Sequence, residues 1–337
     1  MQKMLPKLIA AGAVLLIVIA YFVSNMFFYL HEPVMIDEPV TISFKRGSSV
    51  RTLASQLQDH ELLKHPNYLR FYGRLSGNAT RLQAGEYVFS PGQSIADLIA
   101  DMVAGKVKQY PLTLVEGWTF RQFIDALAAH EAVEHTLKDV PYDQVMSKLG
   151  YGDQHPEGRF FPDTYFLHKN MRDIDILQRA YQRMEQHLQR LWDQRDPDLP
   201  FKTPYEALIM ASIVEKESAV PEERPVIAGV FINRLRKGMR LQTDPTVIYG
   251  IGESFDGDIR FRDLRTDTPY NTYTRKGLTP TPIAMPGLGA LKAVMHPDDT
   301  RYLYFVANGD GSGQHIFSTT LQEHESAVDT HQRKRDR

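Results

Sequence analysis

The chain has 337 residues, a formal charge of −2, 42% hydrophobic and 24% charged residues, and no cysteine. That length is roughly two average domains with room for a sizeable core, and the composition is globular rather than disordered. The near-neutral balance leaves no basic stripe to gather phosphates, so no nucleic-acid partner is expected; the lack of cysteine excludes disulfides, thiolate nucleophiles and Cys-based zinc sites, and suits an oxidising compartment.

Residues 8–30 (LIAAGAVLLIVIAYFVSNMFFYL) carry no formal charge and are long enough to cross a bilayer as a helix. A cleaved signal peptide would have a shorter apolar region followed by a small-x-small site, whereas Ser24, Asn25, Met26 and Phe27 stand there. Lys3 and Lys7 precede the run, and Glu32, Asp37 and Glu38 follow it. The positive-inside rule then makes 1–7 a cytoplasmic tail and puts everything after about residue 31 across the membrane.

One pattern then recurs three times: FKRGSSVRTLASQL (44–57), FSPGQSIADLIADM (89–102) and LVEGWTFRQFIDAL (114–127). In each, a glycine (Gly47, Gly92, Gly117) can make a turn and a hydroxyl residue (Ser49, Ser94, Thr119) can cap a helix, whose apolar residues follow at i, i+3, i+4 and i+7 spacing. Each unit predicts strand, tight turn, amphipathic helix. The first two units, within 40–107, resemble LysM domains, small βααβ modules that bind N-acetylglucosamine-containing glycans. A packing module with no ligand is the alternative reading of the same frame.

From 108 to 327 the pattern predicts a separate mixed α+β domain, broken at Pro141, Pro162 and Pro200, with its longest helix over Ile174–Trp192. Tyr302–Val306 and His315–Phe317 read as a hairpin around a Gly-rich tip, Thr320 and Glu323 as a capping box for a last helix, and 328–337 as a charged tail. The fold class is α+β.

The densest chemical signal is TPYEALIMASIVEKESAV (203–220). Thr203 as N-cap, Pro204 in the first turn and Glu206 closing a capping box start a helix that is apolar nearly all round and should run through the core. Near its end stand Glu215 and Glu217. At about 100° per residue, Glu217 shares a face with Met210, Ile213 and Val214, while Glu215 falls about 200° away. A carboxyl on an apolar stripe has a raised pKa, as a general acid requires. The alternative is a helix-end glutamate paired with Lys216 or Arg224.

Together IVEKES (213–218), GVFINRLRKGMRLQTDPTVIYG (229–250), TPYNTY (268–273), GLTPTPIAMPG (277–287) and EGRFFPDTYF (157–166) resemble the endolytic murein transglycosylase, or YceG-like, family over roughly 40–327. Met285 departs from that pattern, where a Thr or another small residue is common. The resemblance implies cleavage of nascent peptidoglycan strands in the periplasm, with anchorage in the bacterial inner membrane and Glu217 as catalytic residue. Peptidoglycan synthases (penicillin-binding proteins) become candidate partners. Glu217-Ser218 is similar to the Glu-Ser pair of lysozyme-like lytic transglycosylases.

Gln242, Thr243 and Asp244 follow a helix expected to end at Gly238, in an extended stretch able to return beside Glu217; Asn271 and Tyr273 lie in a Pro-rich segment. Their amide, hydroxyl and aromatic groups suit a sugar cleft, and Ser218 joins them as a candidate substrate contact. Asp244 before Pro245 reads equally as a turn residue, and Glu157 and Asp163 as cleft-edge or loop-fixing residues. HEAVEH (130–135) spaces its histidines five apart, not the four of a zinc helix, and reads as a solvated helix end. Phosphate-binding loops, the dinucleotide fingerprint and the serine-hydrolase elbow are missing, so neither cofactor nor metal is expected.

Overall fold

The computed structural model describes residues 5–218 and 220–331. The chain divides into two compact units, one of residues up to Tyr110 with Phe166–Asn170, the other of Pro111–Tyr165 with Met171 onward. The outer part of the charged tail, 332–337, lies outside the described residues.

In the first unit, α1 (Leu5–His31) leads into β1 (Val40–Phe44), α2 (Val50–Asp59), α3 (Pro66–Leu75), β2 (Gly85–Phe89) and α4 (Ile95–Ala104). β1 and β2 pair antiparallel, Val40 opposite Phe89 and Phe44 opposite Gly85. The repeated frame folds as its residues require. Gly47 and Gly92 take positive φ, the Ser49 hydroxyl accepts from Thr52 N–H, and Ser94 with Asp97 forms a reciprocal capping box. Leu53, Ala54 and Leu57 of α2 and Ile95, Leu98, Ile99 and Met102 of α4 are buried in one core cluster.

Among the described residues, α1 is the one helix long and apolar enough to cross a membrane. Its span is not uniform, however: Met26 and Leu30 are buried in the core of the first unit. An apolar run reads alike whether lipid or protein covers it. A 27-residue helix is about 40 Å long, longer than a hydrocarbon core of about 30 Å, and its surplus end packs on protein.

β3 (Tyr110–Thr113) and β5 (Thr164–Leu167) fall where the chain passes from one unit to the other, and the second unit contains α5 (Phe120–Ala129), β4 (Val133–Glu134), α6 (Val145–Lys148), β6 (Met171–Arg172) and α7 (Asp173–Asp193). There follow α8 (Pro204–Glu217), α9 (Arg224–Arg236), α10 (Asp244–Ile251), α11 (Phe261–Arg265), α12 (Leu288–Met295), β7 (Tyr304–Ala307), β8 (His315–Ser318) and α13 (Leu321–His331). The third repeat is here, with Thr119 and Gln122 closing a capping box on α5. HEAVEH is not a helix end: α5 stops at Ala129, and Val133 and Glu134 pair in parallel with Met171 and Arg172. The hairpin and last capping box form as expected, β7 antiparallel to β8 and Thr320 reciprocally bonded to Glu323.

α8 is the axis of this unit. Every residue from Ala207 to Glu215 is buried, and α7, α9, α10 and α12 pack around it. Thr203 caps it by accepting from Glu206 N–H at 3.2 Å, but the Glu206 carboxylate accepts from Lys202 N–H rather than from the cap, so the box is shifted by one residue. Met210, fully buried, tests how much the unit leans on this helix. Met210→Ala should destabilise the second unit by about 2–5 kcal/mol, read as a lowered denaturant midpoint with unchanged slope.

Candidate functional site

α8 delivers its two glutamates to different surroundings. The Glu215 carboxylate is clamped from both sides, Oε1 accepting from Arg224 at 2.8 Å and Oε2 from Gly287 N–H at 2.9 Å. Burial raises its pKa, while the Gly287 amide and the Arg224 charge pull it down. Arg224 therefore belongs to Glu215, and Lys216 donates to Gly117 O at 3.3 Å. Neither cation pairs with Glu217, the arrangement that the helix-end alternative required.

Glu217 is the last residue of α8 and opens onto a cavity of about 520 Å³. That volume lies in the range of small-ligand clefts. Thr243 donates its hydroxyl to Glu217 Oε2 at 2.6 Å, and Oε1 takes no hydrogen bond among the described residues. Burial pushes the Glu217 carboxyl above its ordinary range. The Asp244 charge pushes the same way, and the Thr243 hydroxyl, His315 and Arg234 oppose it.

The opposite wall comes from the loop after α9 and from α10. Gln242 has a left-handed backbone, φ 51°, and lines the cavity with its side chain exposed. Asp244 is not in an extended stretch but begins α10, with Thr243 at the N-cap and Pro245 in the first turn. Its carboxylate accepts from Tyr273 OH on the cavity wall, and burial with that charge raises the Tyr273 pKa.

Two of the expected contacts serve the backbone instead. The Asn271 side chain donates to the carbonyls of Asp263, Leu264 and Thr266 and accepts from Tyr273 N–H. It shapes the loop that presents Tyr273. The Ser218 hydroxyl both accepts from Val220 N–H and donates to Val220 O, closing the turn after α8. Neither residue lines the cavity. Glu157 and Asp163 are also away from it: Asp163 pairs with Arg183 at 2.7 Å, and the buried Glu157 accepts from Phe120 N–H and Tyr249 OH, both at 3.0 Å.

Sequence reasoning missed the third wall, built by β7, β8 and α13 through Tyr304, Phe305, His315 and His324. Glu223 accepts from both the His315 backbone N–H and Nδ1, at 2.9 and 2.8 Å, which fixes the ring and leaves Nε2 as its second polar atom. Arg234, buried under the cavity, donates to Leu303 O and Leu241 O, each at 2.6 Å, and so ties β7 to the loop carrying Gln242. Single-sequence patterns carry no sign of either pairing. No group of three metal-ligating side chains occurs among the described residues.

Comparison with known proteins gives the family. The model of the YceG-like family matches residues 42–330, and the chain belongs to that family. It is 32% identical to an endolytic murein transglycosylase of Bacillus subtilis, over 88% of this chain and 87% of that protein. An endolytic murein transglycosylase of Streptococcus pneumoniae is 29% identical over 87% of this chain, which spans only 58% of the streptococcal protein. The crystal structure of a YceG-like protein from Listeria monocytogenes superposes with a TM-score of 0.56 at 31% identity, covering 86% of this chain and 99% of that one.

Glu157 gives a stability test away from the cavity, since burial pushes its carboxyl up to about 7. The native state then holds this proton where the unfolded chain, with an ordinary carboxyl near 4.5, has lost it. Stability therefore falls as pH rises from about 4.5 to about 7. Denaturation across that window should show the fall in the parent protein and a flatter profile in Glu157→Gln.

Proposed function

We propose that this chain is a lytic transglycosylase that cleaves the β-1,4 bond between N-acetylmuramic acid and N-acetylglucosamine in nascent peptidoglycan, leaving 1,6-anhydro ends and stopping strand growth. The reading rests on membership of a family whose curated relatives are named endolytic murein transglycosylases. The observation that carries it to a residue is Glu217, a carboxyl with raised pKa that lines the cavity, with Oε2 held by Thr243.

In this mechanism protonated Glu217 donates to the glycosidic oxygen. As carboxylate it then takes the proton of the muramic acid C6 hydroxyl, which attacks C1 of its own ring. An attacking group carried by the substrate needs no bound water, and good placement of such a group is worth about 7–11 kcal/mol. Thr243 orients the carboxyl; Gln242, Tyr273 and His315 supply hydrogen bonds and a ring face to the sugar. α1 serves as a single-pass anchor with its N-terminus in the cytoplasm and the second unit in the periplasm. Glycan binding by the strand-helix-helix-strand module at 40–107 and docking to peptidoglycan synthases would place cleavage where strands emerge.

Glu215, the nearest carboxyl in sequence, is turned away from Glu217 and held by Arg224 and Gly287. Asp244 lines the same cavity, and a second carboxyl is what a hydrolytic muramidase uses as nucleophile or base. A transglycosylase needs from Asp244 only its field and its hold on Tyr273. The two readings differ in products, 1,6-anhydro ends against reducing ends.

With peptidoglycan and the full chain in detergent, Glu217→Gln should lower cleavage by about 10²–10⁴-fold while glycan binding persists. Glu215→Gln should cost far less, and mass spectrometry should find anhydro ends. Reducing ends would identify a muramidase; binding without cleavage by the parent protein would identify a scaffold.

The pH profile gives a second test. Cleavage should decline as pH rises through the Glu217 pKa, because the acid form is lost. Asp244 holds that pKa up, so Asp244→Asn should shift the declining limb to lower pH while the products stay anhydro. An unmoved limb would show that another group sets it.

A further inference from the structure

One face of α3 is unaccounted for by the core. Leu69 and Gly73 face inward, with space at Gly73 limited by Val50 of α2 at 3.3 Å. Tyr68, Phe71 and Leu75, at i, i+3 and i+7, share another face, on which Phe71 is 47% and Leu75 68% exposed. Exposed apolar side chains in a row on a helix call for a cover.

α1 indicates the cover. Phe22 meets the rings of Tyr68 and Phe71 edge-on, with centroids 5.4 and 5.8 Å away, and Tyr29 meets Tyr68 at 5.5 Å. The Tyr29 hydroxyl also accepts from Lys64 N–H at 2.9 Å, fixing the start of α3 on α1. A hydrocarbon core of about 30 Å takes about 20 residues of helix, so a span entered at Leu8 leaves near Phe27. Phe22 then lies about 7 Å inside that boundary, within the depth of about 5–10 Å to which helices in the membrane plane sink their apolar faces. Phe71 is in contact with a residue at that level. Arg70 and Arg74, one turn apart beside the apolar face, are suited to phosphate headgroups.

We propose that α3 lies in the plane of the bilayer surface, with Phe71 and Leu75 inserted at the acyl-chain boundary beside α1 and Arg70 and Arg74 against the lipid phosphates. The occupant of the exposed face is the lipid leaflet from which α1 emerges, and the inference rests on α1 being a membrane anchor. The chain would thus hold the membrane at two points, a span and an interfacial helix, joined by aromatic contacts.

The cysteine-free sequence allows a direct test. Full-length Leu75→Cys and Leu16→Cys proteins, each labelled with an environment-sensitive fluorophore, are reconstituted in vesicles of phosphatidylethanolamine and phosphatidylglycerol. Both positions are exposed, so labelling should leave the fold intact. Spin-labelled lipid should quench both probes, and aqueous iodide should quench neither. If Leu16 is quenched by lipid but Leu75 by iodide, α1 spans the membrane and the interfacial role of α3 is overturned. If Leu16 is itself open to iodide, the anchor reading fails and the proposal with it.

Discussion

The Glu215 carboxylate, shared between the Arg224 guanidinium and the Gly287 amide, fixes the end of α8 to two other segments. The Glu215 side chain is 4% exposed and the Arg224 side chain 12%, so the pair is largely shielded from water; breaking such a pair typically costs about 3–5 kcal/mol. A Cβ at Gly287 would stand 1.8 Å from Glu116 Oε1, so a larger residue there would have to push the half-exposed Glu116 side chain aside. With this end of the helix anchored, the fold sets the direction of Glu217 two residues on, which in the proposed mechanism orients the acid before substrate arrives. Orientation of a reacting group ahead of binding is where much of an enzyme's advantage lies.

The chemistry of the two glutamates follows from what surrounds each. Both have raised pKa values because both are buried, yet Glu215 meets a cation and an amide and Glu217 meets a hydroxyl and a second acidic residue. The first environment holds a charge in place; the second favours a proton. Two glutamates two positions apart thus meet opposite surroundings, and about 200° of helix rotation, little more than half a turn, separates them.

Local features were legible in the sequence and distant pairings were not. The glycine-turn and hydroxyl-cap signals of Ser49, Ser94 and Thr119 act within four residues, and all three caps form. The apolar wrap of α8 and the separation of Glu215 from Glu217 follow from a fixed helical angle. The return of Thr243 to Glu217 was foreseen, whereas the start of α10 at Asp244 was missed despite its Thr-x-Pro signal. Asn271 was read as a sugar contact because an amide suits sugar and loop carbonyls equally, and only the fold decides between them. His315 and Glu223 are 92 residues apart, and no periodicity links positions at that distance.

That distance also bears on when the cavity comes into being. One wall consists of Tyr304, His315, His324 and Val328, from the last described elements, while Glu217 lies far upstream. Contacts this remote close late, after the entropy of a long loop has been overcome. A chain made from its N-terminus onward would carry its acid residue for a long interval without the surface that shapes a ligand around it. Fragments ending before β8 would hold Glu217 but lack the wall that His315, His324 and Val328 complete.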